Sequence, residues 1–397
     1  MPASTQSASH DIFSNRIIHI AIMAIEIRKI DTKCGLKKFV KWGIDLYKDN
    51  DCFVPPLVMD DVNTLDPKNN PAFDFCESIY FMAYDNGKPV GRIAGIINNV
   101  VNEKTGKKTL RFGWVDFIDD PRVSEALFRA VEVWGRSKGM EEIVGPLGFS
   151  DMDPEGMLVE GFDQEGTMAT IYNYPYYPKH LEAMGFEKEA DWIEFRMTIP
   201  DGIPERYQRI SDIIKRKYEL STPKYTSAKK LVKDYGQEIF QLINEAYSEL
   251  YGYSPLTPRQ INRYISMYIP VLRLDNISLI VDKDKKLIGV GIAMPSMSKA
   301  LIKCRGRMFP FGWIHLLKAL RGQNDVVDLL LVAVKPEYQS KGVNSLLFTD
   351  LIPCFIKNGY KFAESNPELE LNQKVQSQWG YFETRQHKRR RAFRKSL

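Results

Sequence analysis

Apolar runs along the chain predict buried strands that alternate with amphipathic helices. The longest run, Val326–Val334, contains one carboxylate, Asp328, and is followed by Lys335-Pro336. A run of this length is typical of a central strand that is buried on both faces. After the turn, residues 345–357 carry apolar side chains at helical spacing. The order is therefore strand, loop and helix.

The same order of elements occurs twice. Residues 25–200 predict a strand, a helix, a hairpin with an Asn86-Gly87 turn, then alternating strands and helices, and residues 223–397 repeat this order. A length of 397 residues suits two domains. We predict an N-terminal extension (1–24), a first domain (25–200), a linker helix (201–222) and a second domain (223–397).

Three further elements are predicted in the second half. They are a short strand over 224–229, one amphipathic helix within 304–320 and a helix over 371–379. The first half has its long connections elsewhere, at 145–162 and 172–177. Long loops on a rigid scaffold often carry function, so these insertions either form walls of an acceptor pocket or pack between the domains.

The loop after the Val326–Val334 strand is suited to bind an anion. Its backbone N–H groups lie at a helix N-terminus, and Gly342 permits close approach of a ligand. The usual anion at such a site is a phosphate.

These residues resemble a known motif. The strand, the segment Val-x-Pro-x-Tyr-Gln-x-Lys-Gly and the helix resemble the acetyl-CoA-binding motif of the GNAT superfamily, whose loop is usually Gln/Arg-x-x-Gly-x-Gly/Ala. Gln339 and Gly342 match it, whereas Asn344 stands where Gly or Ala is usual. With Tyr-Asn-x-Pro-Tyr-Tyr177 and Pro-Phe-Gly-Trp313, the chain is similar to a bacterial family of tandem-GNAT proteins.

The resemblance implies an α/β (α+β) fold of two tandem GNAT-like domains, each a mixed, mostly antiparallel sheet flanked by helices. It implies acetyl-CoA or another acyl-CoA as co-substrate. The central strand would pair with the pantetheine arm, and a backbone N–H there, assigned to Val334, would polarise the thioester carbonyl. The implied cofactor contacts are Val332, Ala333, Val334, Gln339, Ser340, Lys341, Gly342, Val343, Asn344 and Asn372.

Asp328 is the candidate general base. An ammonium acceptor has no lone pair until it loses a proton. Asp328 lies 14 residues before Gly342, where the histone-acetylating branch of the superfamily has its glutamate. A buried salt bridge would also explain a carboxylate in an apolar strand.

The general acid has no clear candidate. Gln376 occupies the position of the usual tyrosine, so the resemblance leaves water or Tyr381 as the proton donor. Glu364, Asn366 and Asn372 flank the cofactor side in this fold. They either orient the substrates or serve as strand-end and helix-cap residues.

Only the second half is expected to hold the cofactor. The equivalent loop of the first half contains Asp119, Asp120 and Pro121. Carboxylates repel a pyrophosphate, and proline has no N–H to donate. The first domain is therefore interpreted as a degenerate partner.

The composition indicates which cellular compartment and which kinds of partner to expect. Five cysteines without close pairs favour reduced thiols in a cytoplasm, and we expect neither a metal site nor a disulfide. The apolar run 17–25 is too short to span a membrane. A net charge of +5 does not indicate a nucleic-acid partner, and the basic stretch 385–395 is interpreted as a solvated terminal strand or tail.

The sequence therefore predicts an acyl-CoA-dependent N-acyltransferase, most simply an N-acetyltransferase, that acts by direct transfer on a small-molecule or peptide amine. Two alternatives stay open. One is a Fem-like transferase that uses aminoacyl-tRNA and the basic C-terminal stretch, and the other is a non-catalytic acyl-CoA sensor. The acceptor, the acyl length and the oligomeric state are not determined by the sequence.

Overall fold

The computed structural model of the protein describes residues 25–269, 271–322 and 324–397, without the side chains of Lys374 and Tyr381. The extension expected over residues 1–24 lies outside the described residues. Thirteen strands in the described part form one mixed sheet, which runs through both halves of the chain. Of their pairings, β4 (Thr109–Phe117) with β5 (Glu142–Gly145) and β10 (Val326–Val334) with β11 (Phe362–Ser365) are parallel.

The first half supplies seven of these strands. In chain order its elements are β1 (Glu26–Lys29), α1 (Lys33–Leu46), α2 (Val58–Leu65), β2 (Cys76–Asp85), β3 (Lys88–Asn98), α3 (Asn99–Thr105), β4, α4 (Pro121–Ser137), β5, β6 (Met157–Glu160), α5 (Tyr176–Ala183) and β7 (Glu187–Thr198). Local signals explain several boundaries. Asn86 and Gly87 both adopt positive φ in the hairpin turn, and the Asp120 side chain caps α4, which begins with Pro121.

The second half begins with the linker helix and supplies six strands. Its elements are α6 (Glu205–Lys217), α7 (Ala228–Tyr247), α8 (Pro258–Tyr268), β8 (Ile277–Val281), β9 (Leu287–Pro295), α9 (Ser298–Cys304), α10 (Gly312–Arg321), β10, α11 (Asn344–Lys357), β11, β12 (Glu368–Leu369), α12 (Gln373–Gln376) and β13 (Thr384–Ser396). The predicted central strand and the predicted strand over 362–365 are both confirmed.

The two halves exchange their last long strands. The strand order is β1-β2-β3-β4-β5-β13-β7-β11-β10-β9-β8, with β6 beside β13 and β12 beside β7. The C-terminal strand β13 therefore lies against β5 of the first half, and β7 lies against β11 of the second half. The sheet is continuous across the expected domain division, and the boundaries at residues 200 and 223 stay predictions.

Buried ion pairs join the exchanged strands. Lys388 and Arg390 of β13 are each 1% exposed, and both contact Glu194 of β7. The interpretation of this basic stretch as solvated is wrong, because period-two alternation turns these two side chains into the interior beside a buried carboxylate. Its neighbours Arg389 and Arg391 bind Asp191.

Helices cover the second half of the sheet on both faces. On one face, α7 and α8 pack on alternate residues of β8 to β10, such as Val290 and Ala333. On the opposite face, α11 packs on residues such as Val327 and Ala363, and α6 packs against α11. Met294 lies four residues after Val290 on β9, so both side chains point to the same face of the sheet. Asp328 is the register partner of Met294 and therefore also faces away from α11.

Two of three further predicted elements differ from the structure. Residues 224–229 form no strand, because Ser227 already caps α7. The helix predicted within 304–320 is instead confirmed as α10, and the separate helix α9 ends before it, where Arg305 and Gly306 adopt positive φ. Of the helix predicted over 371–379, only α12 is α-helical, and a 3₁₀ turn follows it.

The described part of the chain contains no helix with both the length and the hydrophobicity needed to cross a membrane.

We expect Glu194→Gln to destabilise the protein strongly. The variant leaves Lys388 and Arg390 buried without their carboxylate, and breaking a buried ion pair from one side costs about 3–5 kcal/mol. Urea unfolding at pH 7 measures the loss. Glu26→Gln is the control, because Glu26 and its partner Arg28 are both exposed. That variant should be as stable as the wild type. Equal stability of Glu194→Gln and the control would contradict a structural role for the buried charges.

Candidate active site

Strands β10 and β11 separate part-way along their length. They pair from Val326 to Leu329, and the amide of Asn366 then donates a hydrogen bond of 2.7 Å to the carbonyl of Leu330. Between Leu329 and Leu331 the register of β10 with β9 also shifts. Beyond this bulge, no strand of the described chain pairs with the β11 side of β10. We call this opening the β10–β11 gap.

The gap exposes backbone groups of the two residues Val332 and Val334. Their carbonyls accept hydrogen bonds from the Tyr247 hydroxyl at 2.9 Å and from the Gln339 amide at 3.1 Å. Because the N–H and C=O of one strand residue point to the same edge, the N–H groups of Val332 and Val334 also point into the gap. The N–H and C=O groups of Ala333 instead point towards β9. The cofactor contact predicted for Ala333 would therefore not be a backbone hydrogen bond in the gap.

The loop that follows β10 presents free N–H groups at the start of α11. Among the described residues, no acceptor is found for the backbone N–H groups of Ser340, Lys341, Gly342 and Val343. Ser340 and Gly342 adopt positive φ, which turns the backbone sharply. Such a run of amides is suited to phosphate oxygens, and the Lys341 ammonium lies close by.

Packing holds this loop in place. A Cβ at Gly342 would lie 3.2 Å from Ile210 of α6, so the glycine also permits close helix packing. Val343 is buried, and the Asn344 side chain donates to Gln378 at 3.3 Å. Asn344 thus has a structural partner at the position where the motif usually has a small residue.

A narrow apolar slot leads away from the gap under α11. It has a cavity volume of about 40 Å³ and runs past Leu347 and Phe355 on the helix. These residues are eight positions apart, which corresponds to about 12 Å along a helix. Only Thr198 and Trp379 carry a polar side-chain atom among the lining residues.

Asp328 lies on the other face of β10 and is buried, at 2% exposed. The Ser296 hydroxyl lies near enough to lower the pKa of Asp328 in part, but neither carboxylate oxygen makes a hydrogen bond of normal geometry. Burial, and then the charge of Glu364 beside it, raise the pKa of Asp328 to about 7. An unpaired carboxylate that titrates near neutrality is suited to accept a proton, and the alternative of a salt bridge does not describe it.

The neighbour of Asp328 contacts an arginine and a histidine. Glu364 is its register partner on β11 and contacts Arg196 of β7 and His387 of β13, each at 2.8 Å. His387 occupies the irregular position of β13 between Gln386 and Lys388. The exchanged strands therefore supply both partners of Glu364.

Other residues named from the sequence have structural roles. Asn372 caps α12 by accepting from the N–H of Val375, and the Gln376 amide donates to the carbonyls of Leu369 and Glu370. The Tyr381 side chain, one of the two proton donors left open, lies outside the described residues.

Solved structures share the fold of this chain. A tandem GNAT protein from the clavulanic acid biosynthesis pathway aligns with a TM-score of 0.55 at 12% sequence identity, covering 94% of this chain and 98% of that one.

The chain has a tandem GNAT fold. A GCN5-related N-acetyltransferase from Sphaerobacter thermophilus also aligns, with a TM-score of 0.50, 9% identity, and 94% and 95% of the two chains covered. No family model matches the sequence.

Two curated proteins are similar to the chain in sequence. Protein YghO of Escherichia coli K12 is 26% identical over 377 residues, which is 94% of this chain and 95% of YghO. The bacterial ceramide synthase of Caulobacter vibrioides is 28% identical over 322 residues, which is 80% of this chain and 82% of that protein.

The first half of this tandem GNAT fold lacks an open gap. After β4 and β5 pair, the N–H of Leu147 bonds to the carbonyl of Phe112 at 2.8 Å, so the two segments stay together. The start of α4 is already occupied by the Asp120 carboxylate, which accepts from the N–H of Arg122 at 2.9 Å. Both features agree with the interpretation of the first half as a degenerate partner.

The loops of the first half pack on the second half of the tandem GNAT fold. The carboxylate of Asp151 accepts from the N–H of Ser254 at 3.2 Å, and the carbonyl of Gly166 accepts from the Ser298 hydroxyl at 3.0 Å. Interdomain packing therefore explains these contacts of the long loops.

Sequence reasoning missed Tyr247, Arg196 and His387. Tyr247 is the last residue of α7, and nothing in the helical pattern distinguishes it from core tyrosines. His387 was grouped with a basic tail. One sequence signal for the pairing of the last two long strands was their opposite charge. The final strand is rich in basic residues, and the earlier strand contains Glu187, Glu189, Asp191 and Glu194.

We expect Asp328→Asn to change how stability depends on pH. The pKa of Asp328 is about 7 in the folded state and about 3.9 in the unfolded state. Between these two pH values the folded wild type binds one proton more than the unfolded chain does. The wild type therefore loses stability as pH rises through 7. The variant should therefore gain stability relative to the wild type at pH 8, compared with pH 5, in urea unfolding.

Asp325→Asn is the matched control, because Asp325 precedes the same strand and is exposed. Its difference from the wild type should not depend on pH. A constant difference for Asp328→Asn as well would show that Asp328 is not protonated in the folded protein at neutral pH.

Proposed function

We propose that the protein is an acyl-CoA-dependent N-acyltransferase that transfers a long acyl chain to an amine by direct transfer. The observation that carries the proposal is the apolar lining of the slot, which begins at the β10–β11 gap and continues under α11. The slot is narrow, so a long chain would displace side chains of α11 as it enters. An acetyl group does not need such a slot, whereas a long chain gains from burial roughly in proportion to its apolar area.

The residues at the gap suit a CoA thioester. The N–H groups of Ser340 to Val343 would hold phosphate oxygens, with Lys341 beside them. The open edge of Val332 and Val334 would pair with the pantetheine amides. The Val334 N–H would then donate to the thioester oxygen as that atom gains negative charge, and one such donor contributes about 3–4 kcal/mol to transition-state stabilisation.

Two side chains suit the proton transfers. Asp328 would take a proton from the ammonium of the acceptor, which frees the nitrogen lone pair to attack the thioester carbon. The C–S bond then breaks, and the thiolate needs a proton. Burial raises the pKa of Tyr247, so its hydroxyl keeps its proton at neutral pH and lies at the gap to donate it. The tyrosinate that results would take the second proton, which the attacking nitrogen releases as the amide forms.

The similarity to the bacterial ceramide synthase supports a lipid acceptor. A ceramide is the amide of a fatty acid with a long-chain amino alcohol, so its synthesis needs an acyl donor and an apolar amine. The proposal for this chain is accordingly an amine on a long-chain lipid.

The structure weakens the basis for the aminoacyl-tRNA alternative. The basic C-terminal stretch was the segment suggested to bind the RNA, and its Lys388 and Arg390 are buried against Glu194 and unable to contact RNA. An acyl-CoA sensor would bind the same cofactor as the enzyme but would not turn it over.

We expect calorimetry to detect palmitoyl-CoA binding that depends on both the loop and the slot. Lys341→Glu should weaken CoA and palmitoyl-CoA alike by about tenfold or more, because it opposes the phosphates. Ala363→Leu, which narrows the slot, should weaken palmitoyl-CoA by a similar factor and leave CoA unchanged.

Each variant has a matched control. Lys357→Glu reverses a charge at the other end of α11, and Ala94→Leu adds the same bulk to the buried core of the first half. Neither should alter binding. Equal affinity of the wild type for CoA and palmitoyl-CoA, or no effect of Ala363→Leu, would rule out the slot as the acyl site.

We expect kcat/KM of the wild type with palmitoyl-CoA and a long-chain amino alcohol to rise with pH through about 7, as Asp328 loses its proton. Asp328→Asn should lower kcat/KM by about 10²–10⁴ and remove this step, and Tyr247→Phe should lower kcat. Asp325→Asn should behave as the wild type. Tight binding of palmitoyl-CoA without turnover of any amine would favour the sensor instead.

A further inference from the structure

A group of large apolar side chains is exposed on the insertion between β9 and β10. Phe309, Phe311, Trp313 and Leu317 are 72%, 69%, 44% and 39% exposed. Single exposed apolar residues are common, but a contiguous set of them marks an interaction surface. We call residues 303–321 the aromatic–basic projection.

The projection is held in a defined shape. The N–H of Val58 donates to the carbonyl of Gly306 at 3.0 Å, and a Cβ at Gly306 would lie 2.1 Å from the carbonyl oxygen of Pro56. The Trp313 indole donates to the carbonyl of Pro310 at 3.0 Å. These contacts hold the base of the projection against the first half, and the rings beyond it point outward.

Helix α10 presents two different faces. Leu316 is buried with Met294 and Leu301, whereas Trp313 and Leu317, one turn apart, lie on the outer face. The apolar outer residues therefore do not contribute to the protein core.

The charge around these rings has one sign. The sequence has no Asp or Glu between Asp284 and Asp325. Lys303, Arg307, Lys318 and Arg321 are exposed, and the described residues include no carboxylate within ion-pair distance of any of them. Arg305 alone of the projection's cations contacts a carboxylate, that of Asp45 at 3.7 Å.

We propose that the aromatic–basic projection docks on the surface of an anionic lipid bilayer. Aromatic and leucine side chains with Lys and Arg around them are the composition of interfacial membrane segments, in which rings enter the headgroup region and cations contact anionic lipids. A second copy of the chain is a poorer occupant, because a symmetric contact would bring like charges together. The cores of protein interfaces are also depleted of lysine.

The position of the projection fits its proposed use. Helices α9 and α10 pack on Met294 and Leu330, which are neighbours of Asp328 in the sheet. Docking would bring the Asp328 face close to the bilayer, where a lipid amine resides. The docking itself rests on the projection alone and does not depend on the proposed acyl transfer.

Vesicle flotation with the full chain tests the proposal. We expect the wild type to bind phosphatidylcholine vesicles containing 30% phosphatidylglycerol, as a chosen probe composition, more tightly than phosphatidylcholine alone, and to release at high salt. Phe311→Ser combined with Trp313→Ser should weaken binding at least tenfold, and Lys318→Glu with Arg321→Glu should remove the preference for anionic lipid.

Leu371→Ser is the control, because Leu371 is 90% exposed but lies between β12 and α12, outside the projection. Circular dichroism and calorimetric CoA binding establish that each variant is folded. Equal binding of the double variants and the wild type, no vesicle binding, or binding to single-stranded RNA in place of vesicles would overturn the proposal. None of these results depends on turnover, so they are distinct from failure of the proposed acyl transfer.

Discussion

Glu194 holds two cations of the last strand in the interior of the sheet. Lys388 and Arg390 would be costly to bury alone, since an isolated ion loses its hydration and gains nothing in return. Beside Glu194 both cations are paired, which permits β13 to lie between β5 and β7 and not at an edge of its own half. The rest of the active-site architecture depends on this placement, because β13 carries His387 to Glu364 and β7 carries Arg196 to the same carboxylate.

The two halves illustrate how a small difference in strand pairing separates a closed sheet from a binding cleft. In the first half, the segment after β5 stays hydrogen-bonded to β4 through Leu147 and Phe112, and the Asp120 carboxylate caps α4. In the second half, Asn366 ends the pairing at Leu330, and the backbone edge beyond it is open. Unpaired backbone groups at a buried edge require a partner, and here Tyr247 and Gln339 bond to the two carbonyls but leave the N–H groups free.

The environment of β10 differs sharply between its faces. The α11 face is apolar and continues into the slot, whereas the opposite face has Asp328 and Glu364, with Arg196 and His387 in contact with Glu364. A sheet can separate these environments because successive side chains point to opposite faces. The same strand therefore offers an apolar path for a chain and a proton acceptor for an amine.

The sequence by itself determined the central strand, the loop with Gly342, the following helix and the place of Asp328 within that strand. These follow from local patterns, namely a long apolar run, turn residues and helical spacing, which act over a few neighbouring residues. The Lys224–Lys229 strand failed for the same local reason, since Ser227 is a better helix cap than a strand residue.

Only the tertiary structure decided the strand exchange, the partners of Glu364, the slot and the position of Tyr247. Each of these depends on contacts between residues far apart in sequence, such as Arg390 with Glu194 or Tyr247 with Val332. Periodicity indicates that a side chain is buried, but it does not indicate which distant strand buries it. The basic final strand shows the consequence, because the same alternating charges are solvated at a free edge and buried when an acidic strand lies beside them.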